Sequence, residues 1–170
     1  MLKHYSGLLG DFDYKDTDFC MVYHDSACCL HYTGTETDGS KIKIPEGIID
    51  CLYMFVGSNI ITPPVIPDSV KSCRSMFEGC HRLVTPPVIP EKVEDCLNMF
   101  YDCCSLIYAP SVPVTAIDCD RMFDQCHSLQ NYSLPPRHMF WMYDNSNPLL
   151  IEISAFVDNF KRTLKKRRNF

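Results

Sequence analysis

The sequence predicts an α+β fold: a short solenoid of about four coils of 22–23 residues, with an N-terminal β cap and a C-terminal amphipathic helix. Three observations predict it. The first is a phrase, P-x-x-V-x-x-C-x-x-M-F-x-x-C-x-x-L, that recurs four times at steps of 22, 23 and 23 residues. Such a short, regular period is the mark of stacked repeats. The second is a leading segment, 1–44, that lacks the phrase and carries strand and hairpin signals. The third is a helical stripe near the C-terminus. Three regions follow: 1–44 as β cap, 45–136 as solenoid, and 137–170 as C-terminal cap and basic helix.

In the first region, Phe19–Tyr23 and Cys29–Tyr32 read as strands, with His24-Asp25-Ser26 as the turn between them. Asp38-Gly39 reads as a two-residue hairpin, since both positions tolerate positive φ. Ile42 and Ile44 alternate with Lys41 and Lys43, a strand with one wet face. A solenoid needs such a cap, because its first coil otherwise exposes core and an open edge.

The coils run over about 45–66, 67–89, 90–112 and 113–135. Pro45, Pro67, Pro90 and Pro113 open them. Cys73, Met76 and Phe77 stand at i, i+3 and i+4, which predicts a helical or 3₁₀ turn over Cys73–Cys80. Leu83-Val84-Thr85-Pro86-Pro87-Val88-Ile89 is extended, because proline removes a donor and restricts the preceding residue. Stacked coils align equivalent positions about 5 Å apart. Cys, Met, Phe and Leu therefore form interior columns. Ser58 stands where later coils have Cys80, Cys103 and Cys126.

In the last region, Met139–Tyr143 is a dense apolar run that closes the final coil. Asn147-Pro148 is a helix start. Ile153, Phe156, Val157, Phe160 and Leu164 then fall on one helical stripe.

The phrase resembles the BspA-like leucine-rich repeat of bacterial proteins. Met76-Phe77-Glu78-Gly79-Cys80-His81-Arg82-Leu83 with Val88-Ile89-Pro90, and their counterparts in the other coils, carry the likeness. The resemblance covers residues 45 to about 136. It implies a parallel-stranded solenoid used for binding, commonly as a surface adhesin, and no catalytic residues. A short version without leader or anchor suggests a small partner-binding protein, from a phage or other mobile element by analogy.

Composition narrows the function classes. No run approaches the roughly 18 apolar residues of a membrane span. Met1-Leu2-Lys3-His4 leads quickly to Asp11 and Asp13, unlike an export leader, so a cytoplasmic protein with reduced thiols is expected. Six basic and no acidic residues lie in 161–170, leaving ten basic against 21 acidic residues in 1–160, a net of −11. The acidic body disfavours direct contact with duplex nucleic acid. It fits a basic partner, including a nucleic-acid-binding protein for which this chain acts as decoy. Lys161, Arg162, Lys165, Lys166, Arg167 and Arg168 form a basic tail, read either as a phosphate or acidic-protein contact or as favourable charge at a helix C-terminus.

No phosphate loop, nucleophile elbow or triad spacing is present, so no enzyme and no cofactor are expected. The paired cysteines read as small buried apolar groups. His81, Cys104 and His127 form one column of metal-ligand types; the competing account is a variable surface position. Asp50, Asp95 and Asp118 form an acidic ridge that must be wet. The binding surface is placed on the extended segments, in the column Thr62, Thr85, Tyr108, Asn131 and on the neighbouring Tyr132. Tyr108 and Tyr132 are the anchors, with half-buried packing as the competing account. The reading is a non-enzymatic repeat protein that binds another protein. The alternative is an acidic inhibitor or decoy of a nucleic-acid-handling complex, such as an anti-defence protein.

Overall fold

The computed structural model describes residues 18–24 and 27–130. Asn131, Tyr132, the Met139–Tyr143 run, the predicted helix and the basic tail lie outside the described residues. Regular secondary structure in the described part is sparse: strands β1 (Phe19–His24) and β2 (Ala27–Tyr32) and a 3₁₀ turn (Gly39–Lys41). β1 and β2 pair antiparallel, with Phe19 opposite Tyr32 and Met21 opposite Leu30.

Over residues 45–130 the chain is ordered by hydrogen bonds between segments mostly 22 or 23 residues apart. Asp50, Ser72, Asp95 and Asp118 form a row of parallel bridges. The densest ladder passes through the Cys-Met-Phe segments. The amides of Cys73, Ser75, Phe77 and Gly79 donate to the carbonyls of Asp95, Leu97, Met99 and Tyr101 at 2.8–3.0 Å. The amides between them turn back: Met76, Glu78 and Cys80 donate three residues backward to Cys73, Ser75 and Phe77. This alternation corrects the expected helical turn. A helix would direct every amide along its own axis and leave none for the next coil.

The alternation requires two positions per coil with positive φ. They are Tyr53 and Gly57, Ser75 and Gly79, Asn98 and Asp102, and Arg121 and Gln125. Each is the third residue of a four-residue turn, where type II turns place positive φ. Only two of the eight are glycine, so six L-residues carry this strain, about 1–2 kcal/mol each. The surrounding ladder holds them there.

In the second, third and fourth coils the proline opens a further turn: Val70, Val93 and Ala116 donate to the carbonyls of Pro67, Pro90 and Pro113 at 3.1 Å. This is the reason for the P-x-x-V spacing. The proline presets φ for the turn, and the fourth residue points inward and is fully buried. The proline-rich strips themselves share few bonds, with Val84 donating to Ile61 and Ile107 to Val84. Their paired prolines have no amide to give.

The core is a filament. Phe55, Phe77, Phe100 and Phe123 stack with ring centroids 5.5, 5.7 and 5.7 Å apart and planes within 11°. Met54, Met76, Met99 and Met122 form a second buried column, and Ile60, Leu83, Leu106 and Leu129 a third. The hairpin closes the N-terminal end. Tyr32 donates its amide to Met54, and His31 Nδ1 lies 3.1 Å from the Tyr53 carbonyl. Phe19 and Tyr32 pack on Phe55 at 6.0 and 5.2 Å.

Asp38-Gly39 is not a hairpin turn. Asp38 caps the 3₁₀ turn, accepting from Ser40, and bridges Thr62 in parallel. Gly39 sits so close to the next coil that an added Cβ would lie 2.3 Å from the Thr62 carbonyl oxygen. Glycine is required there for close approach, not for positive φ. Ile42 and Ile44 are buried and Lys41 and Lys43 exposed, but the segment makes only an isolated bridge, Lys43 to Val65.

Candidate binding face

The thiols that dominate the sequence belong to the interior. Cys80, Cys103 and Cys126 each donate Sγ–H to the phenylalanine carbonyl of the preceding coil, at 3.0, 3.1 and 3.0 Å. Ser58 takes up the end of that column, its hydroxyl 3.4 Å from Cys80 Sγ. Burial pushes the Cys80 thiol up to about 11 and Cys126 to about 12. The hydrogen bond to Cys119 and burial raise Cys96, and burial raises Cys51, Cys73 and Cys103. All six stay protonated at neutral pH, and a thiol in that form is neither nucleophile nor metal ligand.

His81, Cys104 and His127 do not converge. His81 Nε2 lies 2.9 Å from Asp102 Oδ2, while Cys104 Sγ points at the His81 backbone carbonyl, 3.7 Å away. Among the described residues no three His, Cys, Asp or Glu side chains are grouped so as to hold a metal. The aspartate column is less wet than its sequence suggests. Asp50 and Asp95 accept the amides of Leu52 and Leu97 at 2.9 Å, and Asp118 that of Asp120 at 3.4 Å. These carboxylates start the turn of three coils, with Ser72 at that place in the second, and burial raises the Asp95 pKa. Short polar side chains at this place satisfy a backbone amide two residues on, which is why aspartate recurs there.

The predicted binding column lies partly outside the described residues. Thr62, Thr85 and Tyr108 are exposed in three adjacent coils. Their roles differ. The Thr62 hydroxyl donates to Asp38 Oδ1 at 2.9 Å and accepts from the Gly39 amide at 3.1 Å, so it ties the cap to the first coil. Tyr108 is 46% exposed, with its ring free to meet a partner.

The structure shows a broader feature that column reading missed. In the proline-rich half of each coil, exposed residues recur every third position. They are Thr62, Val65, Asp68 and Lys71; then Thr85, Val88, Glu91 and Glu94; then Tyr108, Ser111, Val114 and Ile117. The residues between them are buried or half-buried, except Lys92 and Thr115, which are exposed. Val65 is 81% exposed, Val88 87%, Val114 79% and Ile117 80%. Glu46 and Ile49 continue the third and fourth columns toward the N-terminus. Lys71 and Glu94 pair across coils at 3.9 Å. A spacing of three was present in the sequence, but the strong columns of the interior obscured it.

No family model, curated protein or solved structure matches the chain. Among the described residues no helix is long and apolar enough to cross a membrane.

Proposed function

We propose that this chain is a non-enzymatic leucine-rich-repeat protein of the BspA-like kind, cytoplasmic, that binds another protein through the face bearing Thr85, Tyr108 and the exposed valines. The observation that carries this is Val65 and Val88, more than four-fifths exposed in register on adjacent coils. Packing does not require apolar side chains there, and such patches mark interaction surfaces. The interior thiols, protonated at neutral pH, serve packing and hydrogen bonding within the stack. The acidic residues on the same face, Glu46, Asp68, Glu91 and Glu94, favour a second reading: an inhibitor or decoy of a nucleic-acid-handling complex.

Tyr108→Ala is expected to weaken capture of the partner about tenfold or more, the loss of one aromatic anchor, with the thermal midpoint nearly unchanged. Tyr132→Ala, on the other predicted anchor, is combined with it. Affinity capture from lysate with and without nuclease checks this and separates the two readings. A collapse of stability on substitution would make the tyrosines structural. Nuclease-insensitive capture of a protein unrelated to nucleic acid would eliminate the decoy.

A further inference from the structure

We infer that the occupant of this face is a basic amphipathic helix laid along the stack, parallel to the columns. The inference rests on the protein-binding reading and narrows its partner class. Strand addition is excluded first. The strip is built on Pro63, Pro64, Pro86 and Pro87, which have no amide to offer an added strand. Recognition must run through side chains.

Spacing then selects a helix. Neighbouring coils repeat at roughly 5 Å, close to the 5.5–5.7 Å between the stacked rings beneath. A helix rises about 4.5–6 Å over three or four residues, so one apolar stripe steps in register with the coils. Adjacent columns stand three extended residues apart, roughly 9 Å, about the width of a helix. A helix seated over Val65 and Val88 therefore brings one flank over Asp68 and Glu91.

Charge sets the sign. The third column reads Glu46, Asp68, Glu91 before it turns apolar at Val114. Lys71 is already paired with Glu94, while Lys92 is exposed next to Glu91 and Lys43 beside Val65, so four carboxylates, Glu46, Asp68, Glu91 and Glu94, face three lysines. An acidic helix flanking Val65 and Val88 would meet like charge at Asp68 and Glu91, whereas lysines or arginines beside an apolar stripe meet carboxylates there.

Fluorescence anisotropy on the full chain tests this with three labelled peptides of about 18 residues. One is a Leu/Lys helix with leucines at i, i+3, i+4 and i+7; the others are its Leu/Glu counterpart and polylysine. At about 0.15 M salt, Leu/Lys should bind saturably and at least tenfold more tightly than either control. Val65→Ser with Val88→Ser should weaken it about tenfold, with the thermal midpoint unchanged. Asp68→Lys with Glu91→Lys should transfer the preference to Leu/Glu. Equal binding by polylysine, or indifference to both pairs of substitutions, overturns the inference. Binding of Leu/Lys only after the six basic residues of 161–170 are replaced by serine also overturns it, because the occupant is then the chain's own C-terminal segment. If Leu/Lys fails while Tyr108→Ala still abolishes capture from lysate, the face binds a protein of another class, and the binding reading stands alone.

Discussion

Phe77→Ala is expected to lower the free energy of unfolding by about 3–5 kcal/mol. A domain of this size has about 5–15 kcal/mol in total, so this single change removes a large share of it. The side chain has no exposure, and its ring is stacked 5.5 Å from Phe55 and 5.7 Å from Phe100. Removing it opens a cavity between two coils whose spacing is fixed by the ladder on either side. The backbone amide and carbonyl of Phe77 both bond to neighbouring residues, so the coils cannot collapse into the gap without breaking those bonds. Phe77→Leu keeps most of the volume and loses chiefly the ring stacking, about 0.5–1.5 kcal/mol. Val88→Ala, at a position almost fully in water, should change stability by less than about 0.5 kcal/mol. Urea denaturation of the three variants checks the order. Equal effects at Phe77 and Val88 would mean that the phenylalanines are not the interior.

Gly39→Ala is the second large effect. The added Cβ would lie 2.3 Å from the Thr62 carbonyl oxygen and 2.4 Å from Pro63 C and Pro64 N, all backbone atoms. Nothing in that set can swing aside, so the cap must move off the first coil. That movement breaks the Gly39 amide bond to Thr62 at 3.0 Å and the Asp38–Thr62 contact. The expected cost is at or above the upper end of the 1–3 kcal/mol of overpacking. Gly57→Ala is the informative comparison. No atom lies within 4 Å of its added Cβ, and its cost is the positive φ alone, about 1 kcal/mol. Asp102 and Gln125 occupy the same place in later coils, so that column already tolerates side chains. Thermal unfolding should rank Gly39→Ala well below Gly57→Ala. The reverse order would show that the cap does not dock through this glycine.

These two residues also mark what the sequence does and does not disclose. Phe77 was legible as interior because its column is uniform: four phenylalanines at one period can only be a repeated environment. Gly39 was misread because Asp-Gly is a local hairpin signal, while its actual constraint is contact with residues 23 to 25 positions away. The Cys73–Cys80 turn was misread for a related reason. Apolar spacing reports which side chains face inward, and a chain of tight turns with positive φ gives the same i, i+3, i+4 pattern as a helix. Gly57 and Gly79 hinted at the difference, but Asp102 and Gln125 hid it in the later coils. Tyr108 was placed on an exposed position by column reading. Val65 and Val88 were passed over because valine repeated in two adjacent copies looks like core, and only the fold shows that these two face water.

The central claim is that successive coils are joined by backbone bonds through the Cys-Met-Phe segments, since this ladder places every exposed residue of the binding face. Amide hydrogen exchange on the full chain tests it most directly. The amides of Cys73, Ser75 and Phe77, and of Cys96, Asn98 and Phe100, donate from one coil to the next. They should be the slowest to exchange, opening only with global unfolding, well behind the amides of the proline-rich segment 85–89. Rapid exchange at Cys73, Ser75 and Phe77 in a folded protein would contradict the stack and the face built on it.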